Sequence, residues 1–301
     1  MPGLESHVAE VSGRETRYWV GGDGPPVILI HGLGGAATNW TELAPLLARH
    51  RRVLAPDLPG HGHSAPLADV ESLASYADHV GRLAEALRLL PAAVVGHSLG
   101  GVVALRLAAA RPGDVRALAL VCAAGIHRHA RWAERALRIA SLLRPDAAVA
   151  RRRVTVARRA RLRRAVFAHW GAVDAATLSQ RAVLGLLASR ARATDVASAR
   201  RALFQDDPRQ DLHEISCPTM LLWGARDRLV SLASGFEYAR RLCAPIRALP
   251  AAGHLVIVEQ PAECAAILEG FFDDLDRVRE VDELPVEAED LGEPRAQRAD
   301  A

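Results

Sequence analysis

The sequence predicts an α/β fold: a mainly parallel sheet flanked by helices and interrupted by a helical insertion. Three observations predict it. Short continuous apolar runs, among them Val27–Ile30, Arg52–Ala55, Ala92–Val95, Ala117–Val121 and Thr219–Trp223, sit between Gly- and Pro-containing stops. Runs of this length fit strands buried on both faces. Segments with apolar residues at helical spacing alternate with them, and that alternation implies βαβ crossovers and a parallel sheet. From about residue 125 to 212 the strand runs cease and Ala, Leu and Arg recur at helical spacing.

Taken in order, Val8 to Val20 is spaced like short strands and ends at the turn cluster Gly21–Pro26. Trp40 to Arg49 reads as a helix, and Pro56–Gly60 stops the strand at Arg52–Ala55. Leu73 to Leu90 is helical, with apolar positions at Leu73, Tyr76, Val80, Leu83, Leu87 and Leu90. A helix over Leu99–Ala110 follows the strand at Ala92–Val95. Beyond the insertion come a helix at Leu232–Leu242, a short strand at Ile246–Leu249 and a last helix from Pro261 to about Val278. The expected organisation is a core of residues 1–124 and 213–276, an insertion at 125–212 and an acidic tail at 277–301. From Asp273 onward eleven acidic residues face four Arg with few large apolar residues. Such a segment cannot bury enough surface to offset its ordering entropy, so a disordered tail is expected.

Composition narrows the classes. The 301 residues are half hydrophobic, enough for one large domain with an insertion or for two ordinary ones. The formal net charge of +3 is not that of a protein built for nucleic acid. The chain contains no Lys, so Arg density reflects residue usage before it reflects binding. Cys122, Cys217, Cys243 and Cys264 are scattered without a C-x-x-C pair, so no zinc or redox motif is suggested and small buried residues in a reducing compartment are expected. The start carries no signal-peptide pattern, and no apolar stretch is long enough to span a membrane. A cytoplasmic protein with no integral membrane segment is expected.

Gly96-His97-Ser98-Leu99-Gly100 matches G-x-S-x-G, preceded by a buried strand and followed by a helix. A nucleophile on so tight a turn needs small neighbours, because the flanking chain passes close by. The turn also sets Ser98 at a helix N-terminus, where free N–H groups favour developing negative charge. His31-Gly32-Leu33-Gly34-Gly35 follows the strand Val27–Ile30 and can turn a backbone N–H toward a substrate; the N–H groups of Leu33 and Leu99 are the candidate oxyanion hole. Neither G-x-x-x-x-G-K-[ST] nor G-x-G-x-x-G occurs there, which argues against a phosphate loop. Among twelve His, His254 stands in a loop between the last strand and the last helix, and Asp227 follows the strand ending at Trp223. The order Ser98, Asp227, His254 is nucleophile, acid, base. No carboxylate lies in Cys122–Ile126, the other place for an acid, and Asp57 in its Pro-flanked block reads as a structural turn.

With these blocks in view the chain resembles the α/β-hydrolase superfamily, in its serine esterase and lipase-like branch with a helical cap. The matching residues are His31–Gly35, Asp57–Ser64, Gly96–Gly101, Trp223–Asp227 and Gly253-His254. The resemblance implies an eight-stranded sheet, no cofactor and acyl-enzyme chemistry on a small-molecule ester, with lactones and thioesters included. His61 and His63 belong to the Asp57 block and are read as structural, not as metal ligands. Ser98 argues against epoxide or halide chemistry, whose relatives use Asp at the elbow. Carbon–carbon bond hydrolases of this fold usually carry Asn before the nucleophile and Trp after the base; here these are His97 and Leu255. Haloperoxidase or perhydrolase chemistry and a weakly hydrolytic ligand-binding role share the triad and stay open. Thirteen Arg against Glu134 and Asp146 lie between His127 and Arg164. They could attract an anionic ligand; the preferred reading is a solvated face of cap helices.

Overall fold

The computed structural model describes residues 1–68, 70, 72–127, 149, 152–167, 171–192 and 194–282. Eight strands form one sheet in the order β1-β2-β4-β3-β5-β6-β7-β8. They are β1 Leu4–Val11, β2 Arg14–Gly21, β3 Pro26–Ile30, β4 Arg52–Pro56, β5 Ala92–His97, β6 Val115–Val121, β7 Thr219–Gly224 and β8 Ile246–Leu249. β1 and β2 are antiparallel, β2 joins β4 antiparallel, and every pairing from β4 to β8 is parallel. The first two strands form a hairpin across Ser12 and Gly13, both at positive φ (50° and 74°), which suits the right-handed twist of the strands they join. Val27, Ile28, Leu29 and Ile30 have no exposed surface, so β3 lies in the middle of the core as its uninterrupted apolar run requires.

The helices are α1 Ala44–Leu47, α2 Ala74–Ala86, α3 Leu99–Ala110, α4 Arg153–Arg158, α5 Ala160–Phe167, α6 Gln180–Arg192, α7 Val196–Gln205, α8 Leu232–Leu242, α9 Val256–Glu259 and α10 Pro261–Asp282. The helix expected over Trp40–Arg49 is instead a 3-10 turn at Ala37–Trp40 followed by the four-residue α1. The chain begins to coil early because the Asp57 carboxylate accepts the Ala37 N–H at 2.7 Å. Pro45, which has no N–H to donate, sits in the first turn of α1. α2 stops short of the expected Leu90 because Arg88 turns to φ 56°, outside the helical region. Two of the four cysteines depart from the expected burial: Cys217 is half-buried and Cys243 is exposed.

Among the described residues of 125–212 there is no strand; α4 to α7 form the cap. α4 packs on α5 and α6, and α6 rests on the 3-10 turn of the core. That seat depends on Gly185, where a Cβ would come 2.6 Å from the Thr38 carbonyl. Arg128 to Arg144 and Arg151 of the arginine-rich stretch lie outside the described residues, while Arg152, Arg153, Arg158, Arg159 and Arg161 are exposed. α10 continues past Val278 to Asp282, and residues 283–301 of the expected tail lie outside the described residues.

Three acidic residues of α10 have a structural task. Arg51 is buried and donates to Glu269, Asp273 and Asp276, with Arg116 also donating to Asp276. Burial opposes ionisation of Asp276, yet the hydrogen bonds from Arg116 and Arg51 outweigh it and hold the carboxyl below its ordinary range. Its stabilisation is therefore present above the ordinary carboxylate range and fades as pH falls through the lowered value. Arg51→Ala should destabilise the protein by about 3 kcal/mol, the low end for breaking a buried pair because Asp273 stays solvated. A thermal melt should show a loss on the order of 10 °C, and an unchanged melt would show that α10 is held by its apolar face alone.

Candidate active site

Strand order places the site. From β3 the chain steps to β4 on one side, and β5 returns to the other side of β3. The loops leaving β3 and β5 therefore diverge and leave a crevice at the C-terminal ends of the strands. Loops after β7 and β8 reach the same end.

Ser98 follows β5 and precedes α3, with φ 56° and ψ −119°. That conformation costs a non-glycine residue about 1–3 kcal/mol, and the neighbours show why it needs small residues. A Cβ on Gly96 would lie 2.3 Å from the Gly100 carbonyl oxygen, and one on Gly100 would lie 2.2 Å from that of Ile30. Ser98 is partly exposed, whereas His254 and Asp227 are buried.

A continuous hydrogen-bond chain links the three residues. The Ser98 hydroxyl lies 3.0 Å from His254 Nε2, and His254 Nδ1 lies 2.7 Å from Asp227 Oδ2. Asp227 Oδ1 accepts the N–H groups of Leu229 and Val230, both at 2.8 Å. With one carboxylate oxygen held by the backbone, the other is left to receive Nδ1–H, and Nε2 is the ring atom free to accept from Ser98. Beside this dyad lies the Cys122 thiol, which sequence reasoning passed over as a small apolar residue. Its sulfur, an Asp227 oxygen and a His254 nitrogen all lie within 4.8 Å of one another. Burial, and after it the Asp227 charge, pushes that thiol well above its ordinary range, so it stays neutral and is a poor ligand for a metal.

The glycine-rich loop after β3 is fixed in orientation. His31 Nε2 accepts the Leu58 N–H at 2.9 Å and Nδ1 donates to the Gly32 carbonyl at 2.8 Å. One donor and one acceptor demand a neutral ring, and burial followed by the His61 charge pushes the His31 pKa down to about 3. The Gly32 carbonyl also accepts from the Gly35 N–H at 3.0 Å. In a trans peptide the N–H points opposite the carbonyl, so the Leu33 N–H faces away from that turn. A Cβ on Gly32 would lie 3.0 Å from Ser98 Cβ, which puts the loop against the elbow. Leu99 is the first residue of α3, whose N–H the helix leaves free.

Asp57 does not join this chain. Its two oxygens accept the Ala37 and His63 N–H groups and its carbonyl accepts the Ser64 hydroxyl. His61 Nδ1 donates to the Pro59 carbonyl. His97 does take part, through Nε2–H, which donates to the His254 carbonyl at 2.8 Å. Burial and then the His254 charge bring His97 down to about 3, so it tethers the loop of His254 as a neutral ring.

The family model for the alpha/beta hydrolase fold matches residues 25–261, a span that contains every residue of this hydrogen-bond chain. The chain belongs to the α/β-hydrolase family. This α/β-hydrolase is 31% identical over 259 residues to the dihydrolipoyllysine-residue acetyltransferase component of the acetoin cleaving system of Pseudomonas putida, covering 83% of this chain and 65% of that protein. It is 40% identical over 119 residues to a 2-hydroxymuconate semialdehyde hydrolase of a Pseudomonas species, covering 38% of this chain and 42% of the relative. The chain thus spans less than two-thirds of the length of either relative. Among solved structures, a membrane phospholipase A described as a bacterial virulence factor superposes with a TM-score of 0.71 at 28% identity, covering 91% of this chain and 87% of that one. No helix among the described residues of this α/β-hydrolase is long and apolar enough to cross a membrane.

Proposed function

We propose that this α/β-hydrolase is a serine hydrolase that cleaves a small or medium carboxylic ester, lactone or thioester through an acyl-enzyme on Ser98. The observation that carries the reading is the unbroken chain Asp227–His254–Ser98, at 2.7 and 3.0 Å. Ser98 Oγ attacks the carbonyl carbon while its proton passes to His254 Nε2. The imidazolium is stabilised by Asp227, and the new oxyanion is received by the N–H groups of Leu33 and Leu99. His254 returns the proton to the departing alcohol or thiol, leaving the acyl group on Ser98. Water then attacks the acyl-enzyme with the same base, and the acid is released. No step calls for a cofactor. The phospholipase named among the similar structures acts on esters, in keeping with this reading.

The test is a panel of p-nitrophenyl esters from short to medium acyl chains. A burst of one p-nitrophenol per enzyme followed by steady turnover is expected for at least the short members. A second reading, carbon–carbon bond hydrolysis, is favoured by the stretch of 40% identity to a hydrolase of that kind. Against it stand His97 and Leu255 in place of the Asn and Trp usual there. Cleavage of 2-hydroxymuconate semialdehyde with no turnover of any ester would reverse the choice, and binding of esters without turnover would make the chain a ligand-binding member of the family.

A further inference from the structure

The base loop of this α/β-hydrolase is joined to the cap by an arrangement that the triad chemistry does not itself require. The His254 N–H donates to the Gly171 carbonyl at 2.8 Å. Two backbones can lie this close only without side chains between them. A Cβ on Gly253 would fall 2.0 Å from the Gly171 oxygen, and one on Gly171, at φ 80°, would fall 2.7 Å from His254 Cβ. Across this seam sits one carboxylate. Glu259, the last residue of α9, accepts the Gly253 N–H on Oε2 at 2.9 Å and the Val173 N–H on Oε1 at 2.6 Å. Gly253 precedes the base, and Val173 belongs to the segment between α5 and α6 of the cap. One side chain thus spans both layers, one oxygen on each.

We propose that Glu259 is a positioning residue that holds the base loop and the segment 171–173 as one unit, so that His254 is aligned only when this segment is seated. The proposal rests on the reading of His254 as the base. Opening the cap at this seam must break the bond to Val173, the bond from the His254 N–H, or both. The base then loses part of the frame that points Nε2 at Ser98, and is left with the His97 contact at its carbonyl, the Asp227 bond at Nδ1 and the Arg226 N–H on the Ala252 carbonyl of its loop. Among the described residues, the charged and titratable groups that face Glu259 are Asp227, from the loop after β7, His254 itself and the Cys264 thiol of α10. Burial, the largest influence, raises the Glu259 carboxyl above its ordinary range, with the two N–H groups opposing it. A buried carboxylate with a raised pKa costs stability once ionised, because its stabilising contribution is lost as pH rises through that pKa.

The experiment compares Glu259→Gln, Glu259→Asp and His254→Ala with the full-length enzyme on a small soluble ester. Gln retains one acceptor oxygen and turns an NH2 toward the second N–H, so kcat should fall about 10–100-fold, the cost of a misplaced group. KM should stay within about twofold, as for an interaction that acts in the transition state. The melting temperature should move by no more than a few degrees. The acid limb of kcat/KM should shift to lower pH, because the lost negative charge no longer favours the imidazolium. Asp keeps the charge but cannot span both N–H groups, so kcat should fall while the acid limb stays in place. Wild-type kcat and an unmoved acid limb in Glu259→Gln, with His254→Ala inactive, would overturn this proposal alone. So would wild-type kcat in Glu259→Asp, or kcat losses that follow a drop of more than about 5 °C in melting temperature. An active His254→Ala enzyme would overturn the base assignment and this proposal with it.

Discussion

Ser98→Ala should lose all labelling by an organophosphonate probe and about 10⁴–10⁶-fold in kcat, with little change in KM. The size follows from what the substitution removes. Among the described residues, the Ser98 hydroxyl is the group hydrogen-bonded to His254 Nε2, at 3.0 Å. Cys122 is near but buried, and its thiol is held neutral, so it is not a substitute nucleophile. The backbone donors stay in place, so some acceleration over water should survive, as it does when a triad member is removed elsewhere. The Ala side chain suits the tight turn as well as Ser does, and the melting temperature should be nearly unchanged. Intact-mass and peptide analysis after probe treatment checks the site. Stoichiometric labelling of the Ala variant would move the nucleophile elsewhere.

Asp227→Asn should cost on the order of 10⁴-fold in kcat while leaving the enzyme folded, and the hydrogen bonds around the carboxylate say why. Oδ1 is already held by two backbone N–H groups, from Leu229 and Val230. An amide placed here keeps its single oxygen on those donors and must turn its NH2 toward His254. Nδ1 then has to accept, the proton moves to Nε2, and the ring offers a donor to Ser98 where a base is needed. The fault is a wrong tautomer, not a lost contact. Asp57→Asn is the informative contrast. Asp57 receives one N–H on each oxygen, from Ala37 and His63, so an amide there leaves one buried N–H facing an NH2. That should lower the melting temperature and leave kcat of the folded fraction largely intact. Equal kcat losses in the two variants would mean that the acid has been assigned to the wrong loop.

Much of this site is legible before any coordinates, because it depends on chemistry that acts over a few residues. The elbow needs small residues at 96 and 100 around a Ser at φ 56°, and that requirement is written within five positions. Asp227 follows an apolar run that reads as a buried strand, and His254 follows the short strand Ile246–Leu249, whose residues are half-buried or exposed. Parallel strands carry their loops to one end, so chain order alone brings Ser98, Asp227 and His254 to the same crevice. Less legible were short elements whose limits depend on distant partners. The chain near Trp40 coils as it does because Asp57, twenty residues on, caps Ala37.

By itself, then, the sequence determined the parallel α/β architecture, the helical character of the described part of the insertion, and the three residues of the hydrogen-bond chain. Tertiary structure alone decided which of many chemically identical groups meet. Nothing local distinguishes Glu259 from the other acids, yet it is the one that reaches Val173, 86 positions away. Nothing marks Arg51 among the arginines, yet it is the one buried against the last helix, 218 positions away at Glu269. Nor does the sequence around Gly171 announce that its carbonyl will receive the N–H of His254. The physical reason is the same in each case. Periodicity and turn chemistry act between near neighbours and leave a pattern, whereas the choice of a distant hydrogen-bond partner is made by packing, which selects by position and not by residue type.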